Sequence, residues 1–194
     1  MANKDIISGF TPIGTLSGAD YHGKMRRVAF AAGDSVAAFP GDLVKLTGTT
    51  DATGKLPIVA QGTAGAAGIG VLVSLEPDFT DEGTLNTNYR VASTARIGKV
   101  LFGQDVLYTI QEDSVGNAIE ITEAGFNCDV TVGSGNTITG ASGMELESTT
   151  AANTSSLNVR LHHVFDAPDN ELGDNADWVV SINASQEALN QTGV

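Results

Sequence analysis

Any chemistry in this chain has to come from three histidines, one cysteine, two glycine-rich stretches and a few groups of carboxylates. Gly48-Thr-Thr-Asp-Ala-Thr-Gly54-Lys55 has the outline of a phosphate loop, but its glycines are one residue too far apart. Leu56 also stands where a magnesium-binding Ser or Thr is needed, so the stretch reads as a hairpin turn. Gly65-Ala-Ala-Gly68-Ile-Gly70 precedes a strand, whereas a dinucleotide site leads from a strand into a helix whose N-terminus meets the pyrophosphate. It too reads as a turn. His162 and His163 are adjacent on an alternating stretch, so they point to opposite faces and cannot share a metal ion through that strand. One reads as outward and the other as partly buried. His22 has no partner nearby in sequence. Cys128 sits beside Asp129, whose charge raises a thiol pKa, and it reads as a small buried hydrophobe. Asp166, Asp169, Glu171, Asp174 and Asp177 lack the EF-hand spacing, and a solvated acidic loop outweighs a calcium site. Glu112-Asp113 and Glu145/Glu147 supply paired carboxylates such as a glycosidase uses, with few aromatics to stack on a sugar. The expectation is a protein that is not an enzyme and has no cofactor and no metal ion.

The elements that would have to position these residues are short and β-like. Residues 1–25 read as an extended N-terminal arm, because Gly9, Pro12, Gly14, Gly18 and Gly23 interrupt every periodicity. Strands are expected at 26–31, 42–47, 56–60, 68–77, 90–95, 99–102, 106–111, 129–132, 144–147, 157–164 and 178–182. Pro57 places the third at an edge or at a strand start. One helical turn is expected at 121–125 with Thr122 as its cap, and a short terminal helix at 185–190. Residues 78–88 and 166–177 read as polar loops. Roughly ten short strands without a long helix predict an all-β fold, an antiparallel barrel or sandwich over residues 26–194, with two lobes dividing near residue 100 as an option.

Charge is distributed unevenly along the 194 residues. Residues 1–100 carry nine acids and nine bases, while residues 101–194 carry fourteen acids and a single base, Arg160, so the net charge of −13 lies wholly in the second half. That surface repels phosphate backbones and anionic headgroups, so neither nucleic acid nor membrane is expected as a partner. A lone cysteine makes no internal disulfide, and no apolar run reaches the ~20 residues of a membrane helix. The opening MANKDIISGF has no basic, then apolar, signal-peptide pattern, and synthesis in a reducing cytoplasm is expected.

Several segments resemble a known family, the head decoration or cement proteins of tailed bacteriophages. The resemblance rests on DVLYTIQEDSVG (105–116), on GFNCDVTVGSGNTITGASGMELESTT (125–150), on LNVRL (157–161) and on APDNELGDNADWVVSIN (167–183). GFTPIGTLSGADYHGKMRR (9–27) and GVLVSLEPDF (70–79) add to it. His162 and His163 stand where that family has apolar residues. The resemblance implies a structural virion protein on the outer capsid surface, bound to the major capsid protein at local threefold positions and associating as a homotrimer. Other readings are a tail-tube or fibre module and a carbohydrate-binding β-domain. The family has contact surfaces and no active site. Lys4, Tyr21, Lys24, Arg26 and Arg27 are the candidate capsid or inter-subunit contacts. The charge split adds an orientation, with residues 1–30 against the shell or a neighbouring subunit and residues 166–177 facing solvent.

Overall fold

A strand buried on both faces needs apolar residues at successive positions, and a strand buried on one face needs them at alternate positions. Both patterns occur here, and they separate two parts of the chain. The computed structural model describes residues 3–78 and 87–186. Its strands are β1 (Thr11–Thr15), β2 (Met25–Phe30), β3 (Leu43–Thr50), β4 (Pro57–Gln61), β5 (Gly70–Leu75) and β6 (Arg96–Phe102). They continue with β7 (Val106–Gln111), β8 (Asn127–Cys128), β9 (Val130–Gly133), β10 (Gly143–Leu146), β11 (Val159–Val164) and β12 (Asp177–Ile182). The only helical elements among the described residues are three single 3₁₀ turns. The fold class is all-β, as expected.

Strands β2-β4-β3-β5-β6 close a barrel. Val28, Phe30, Val44, Val59, Leu72, Val100 and Phe102 fill it. Their neighbours Leu43, Val71 and Leu101 point the other way and join a second core. That core lies beneath a five-stranded antiparallel sheet, ordered β1-β7-β12-β11-β8. On its inner face Tyr108, Val180 and Leu161 form one cross-strand row, and Ile182, Val159 and Cys128 form another. Strands β9 and β10 make a separate hairpin that adds Val130, Met144 and Leu146 to the same core.

The extended arm contributes a strand. Residues 11–15 form β1, the edge strand beside β7, with a register shift between Pro12 and Gly14. Pro12 has no N–H to donate, and an edge strand tolerates that. Phe10 is buried and meets the Tyr108 ring edge-on at 5.7 Å. Residues 11–15 of the extended arm thus belong to the second sheet.

The expected strand at 90–95 is absent. Arg90 makes only an isolated bridge with Ala38. Its fully buried guanidinium donates to the carbonyls of Val36, Ala31, Asp34 and Thr94, so the chain turns around the side chain instead of running straight. The 3₁₀ turn at 121–123 is capped from Glu120, whose N–H donates to Glu123 Oε2 at 2.7 Å, and not from Thr122. The expected helix at 185–190 and loop at 78–88 lie largely outside the described residues.

Asn158 joins the two parts. Its Oδ1 accepts from Gly65 and Val130, and its Nδ2 donates to the carbonyls of Thr63 and Ala66. Asn158 is completely buried. Replacing it with alanine leaves several buried partners unsatisfied, and a loss of about 3 kcal/mol is expected. Urea unfolding should show the midpoint falling at an unchanged m-value. A loss below about 0.5 kcal/mol, typical of an ordinary surface site, would refute the role given to this side chain.

Candidate functional site

The five candidate contact residues do not form one patch. Lys4 lies on the arm, where its carbonyl accepts from Gln111 Nε2 at 2.7 Å and its side chain is exposed. Gln111 Oε1 also accepts the Ile6 N–H at 3.0 Å. One buried glutamine of β7 therefore holds the arm at two points, Lys4 and Ile6. Tyr21 is half-buried against the second core and stacks on His22, with ring centroids 4.5 Å apart. Lys24 pairs with Asp105, just beyond the end of β6. Arg26 lies over the Phe102 ring at 4.9 Å. Arg27 donates through Nε and Nη2 to the two carboxylate oxygens of Glu76, at 2.9 and 2.7 Å. Lys24 and Arg27 thus already meet carboxylates of their own chain.

The start of the arm touches the acidic loop. Asn3 Nδ2 donates to the carbonyls of Glu171 and Asp174, and Asn3 Oδ1 accepts the Glu171 N–H. Loop 166–177 is further organised by Asn170, which bonds Phe165 and both backbone groups of Asp177. Asn3 thus ties the start of the arm to the acidic loop. Sequence reasoning missed this because asparagine contacts to carbonyls leave no periodic signature.

The residues with possible reactivity have structural partners. Cys128 is buried, its Sγ within 3.2 Å of the Glu147 carbonyl, and burial pushes the thiol up to about 12. His162 sits at a bulge between β11 and β12, half-buried, with Nε2 3.0 Å from Ser181 Oγ, while His163 is exposed. Burial, and next Arg160, holds the His162 pKa below its ordinary value. His22 Nδ1 lies 2.5 Å from Asp20 Oδ1, but the pair is on the open surface and lines none of the larger cavities. Glu112 is completely buried and accepts the N–H groups of Ile119 and Asn175, both at 2.9 Å. Asp113 accepts the Ser148 N–H and hydroxyl. The Glu112-Asp113 pair is thereby committed to holding loops. Among the described residues, no group of three or more His, Cys, Asp or Glu is placed to hold a metal ion. Compared with family models, curated proteins and solved structures, the chain matches none.

Glu145, on β10, is a carboxylate with a consequence for pH near neutrality. Burial, then Asp5 of the arm and Asp113, push its pKa up to about 7. The folded value lies above the unfolded one of about 4.3, so its contribution is full below pH 4 and is lost as pH rises through 7. Glu145→Gln lacks that loss. The melting temperature of the variant should match the wild type below pH 4 and exceed it by roughly 2–4 °C above pH 8, after allowance for solvent screening. A difference that stays constant with pH would remove Glu145 as the source.

Proposed function

We propose that this chain is a structural protein of a virion that decorates and stabilises the outside of a tailed-phage capsid by binding the major capsid protein at local threefold positions. The observation that carries the reading is how charge divides once the arm is assigned to the second sheet. Residues 21–102, which contain all the barrel strands, carry eight bases and seven acids. The remainder carries two bases and sixteen acids. The division is sharper in the fold than along the chain. A protein built this way can lay its near-neutral barrel on a large partner and turn its acidic sheet to water. Packing the acidic sheet onto an acidic shell would cost Coulomb energy within the ~8 Å screening length of physiological salt. The segment resemblance at 105–116, 125–150 and 167–183 supports the same reading, as does an all-β build from short, tightly connected strands.

The contact surface in this proposal is the barrel around Lys24, Arg26 and Arg27, with the arm left on its own sheet. Particles assembled without this chain should take it up in co-sedimentation and saturate at a fixed ratio to the shell protein. Arg26→Gln with Arg27→Gln should weaken uptake about tenfold and flatten its salt dependence. Asp166→Asn with Asp169→Asn should leave uptake unchanged. A deletion of residues 2–8 is the clean test of the arm, because one extending to 24 would also remove Phe10 from the core and β1 from the sheet. No uptake at any salt concentration, or uptake lost only with the acidic-loop variant, would sink the proposal.

A further inference from the structure

The part of the arm that precedes β1 crosses β10 between two fixed points. At one end Gly9 is boxed in, since a Cβ there would fall 2.5 Å from Ser142 and 2.6 Å from the Gly41 carbonyl oxygen. The Phe10 N–H donates to that same carbonyl at 2.9 Å. At the other end Gln111 holds the Lys4 carbonyl and the Ile6 N–H, and Asn3 bonds the backbone of Glu171 and Asp174. β10 begins at Gly143, next to Ser142, and ends at Leu146, which bridges Glu112, the neighbour of Gln111. The two ends of this segment therefore straddle β10, and Asp5 passes over it.

Met144 and Leu146 point into the second core, so Glu145 between them points away from it, yet it is half-buried. The charges around Glu145 are acidic on every side. Asp5 comes from the arm, Asp113 and the buried Glu112 from the end of β7, and Glu147 from the residues just after β10. β9 sets Thr131 opposite Glu145 and carries no charge. Lys4 is the one base of the arm, and it lines a cavity together with Asp169 and Asp177. Hydrogen bonds thus fasten the segment at both ends, while like charges meet beneath its middle.

We propose that Glu145 is a pH-sensitive latch for residues 3–8: neutral, it lets them lie over β10, and ionised, it repels Asp5 and loosens them from the sheet. The latch does not depend on the decoration reading. Its sign follows from linkage. With the arm in place, burial, then Asp5 and Asp113, push the Glu145 pKa up to about 7. With the arm away, Glu145 loses Asp5 and part of its burial, and its pKa falls towards the ordinary carboxylate range. Docking of the segment is therefore fully favoured below the lower value and weakens as pH rises through about 7. Asp169 and Asp177 act with the opposite sign, because they attract Lys4 more strongly as they ionise. Loosening at rising pH thus has its source in Glu145. Phe10 is buried and β1 pairs with β7, so the opening stops at Gly9.

Amide exchange of the full chain, measured by NMR at about pH 6 and about pH 8 and corrected for the intrinsic rate, tests the latch. A drop of about one unit in the Glu145 pKa on release lowers docking about fivefold between those two values. Protection of the Ile6 N–H, which donates to Gln111 Oε1, should fall by that factor, while the amides of β6 keep theirs. In Glu145→Gln the Ile6 protection should be the same at both pH values. In Asp5→Asn, a change at an exposed position, the fall should shrink to about twofold. Should Glu145→Gln fail to fold, Asp5→Asn still decides. A wild type whose Ile6 protection does not change with pH would overturn the latch. So would a fall that survives in Glu145→Gln or in full in Asp5→Asn, or an equal fall in β6, which is the mark of a general loss of stability.

Discussion

Leu43, Val71 and Leu101 point out of the barrel, and they need a second sheet to cover them. At these positions β3, β5 and β6 are therefore buried on both faces, with Val44, Leu72 and Val100 turned inward. Apolar area removed from water contributes about 25 cal/mol per Å², and each of these strands collects that contribution twice. The geometry is correspondingly strict. A Cβ on Gly70 would fall 2.2 Å from the Leu101 carbonyl oxygen, and one on Gly98 would meet the Leu72 and Phe30 side chains. The barrel wall can be this closely packed only because glycine stands at those two points. Removing the second sheet would leave three large aliphatic side chains exposed on the barrel, so the barrel and the sheet depend on each other for their stability.

Apolar contact fixes which surfaces meet, and buried polar groups fix how they meet. Asn158 satisfies four backbone groups, Arg90 donates to four carbonyls, and Glu112 accepts two N–H groups. All three side chains are completely buried, and each joins segments far apart in sequence. A buried polar group is costly unless its partners are in place, so each of these disfavours a slipped arrangement of the same apolar surfaces. Asp42 is the exception. Its Oδ2 accepts from Phe39 and Gln61 and its carboxylate also meets the Ser142 side chain, yet burial outweighs these bonds. Burial raises its pKa, which favours the neutral form in the folded state.

Most of the fold was legible because its signals are local. VLYTIQ alternates, and Val106, Tyr108 and Ile110 all face the core. Asp51 to Gly54 reads as a turn, and it is the β3–β4 connection, where Asp51 Oδ1 accepts the Lys55 and Leu56 N–H groups. What escaped the sequence reading depends on partners distant in the chain. TPIGT, with proline and glycine, has the composition of a loop, and only the free edge of β7 makes it a strand. Residues 90–95 have strand composition, yet the carbonyls around the Arg90 guanidinium outweigh it. The candidate contacts fared in the same way. The basic run 24–27 is visible as charge, but Asp105 and Glu76, which meet Lys24 and Arg27, lie 81 and 49 residues away.

The arm also determines how charge is distributed over the molecule. Its first twenty residues hold one base, Lys4, and two acids, Asp5 and Asp20. By joining β7 the arm leaves the near-neutral half of the sequence and lies on the acidic sheet, where Asp5 adds to the field that raises Glu145. Had the arm stayed with the barrel, the division between the two parts would be weaker. The Lys24–Asp105 pair then sits where the parts meet, a cation from the barrel side against an acid from the sheet side. Such an arrangement concentrates the net negative charge on one part of the molecule. An acidic surface repels the sheet part far more than the near-neutral barrel part, and salt weakens that difference. Such a surface therefore meets less resistance from the barrel side than from the sheet side of this chain.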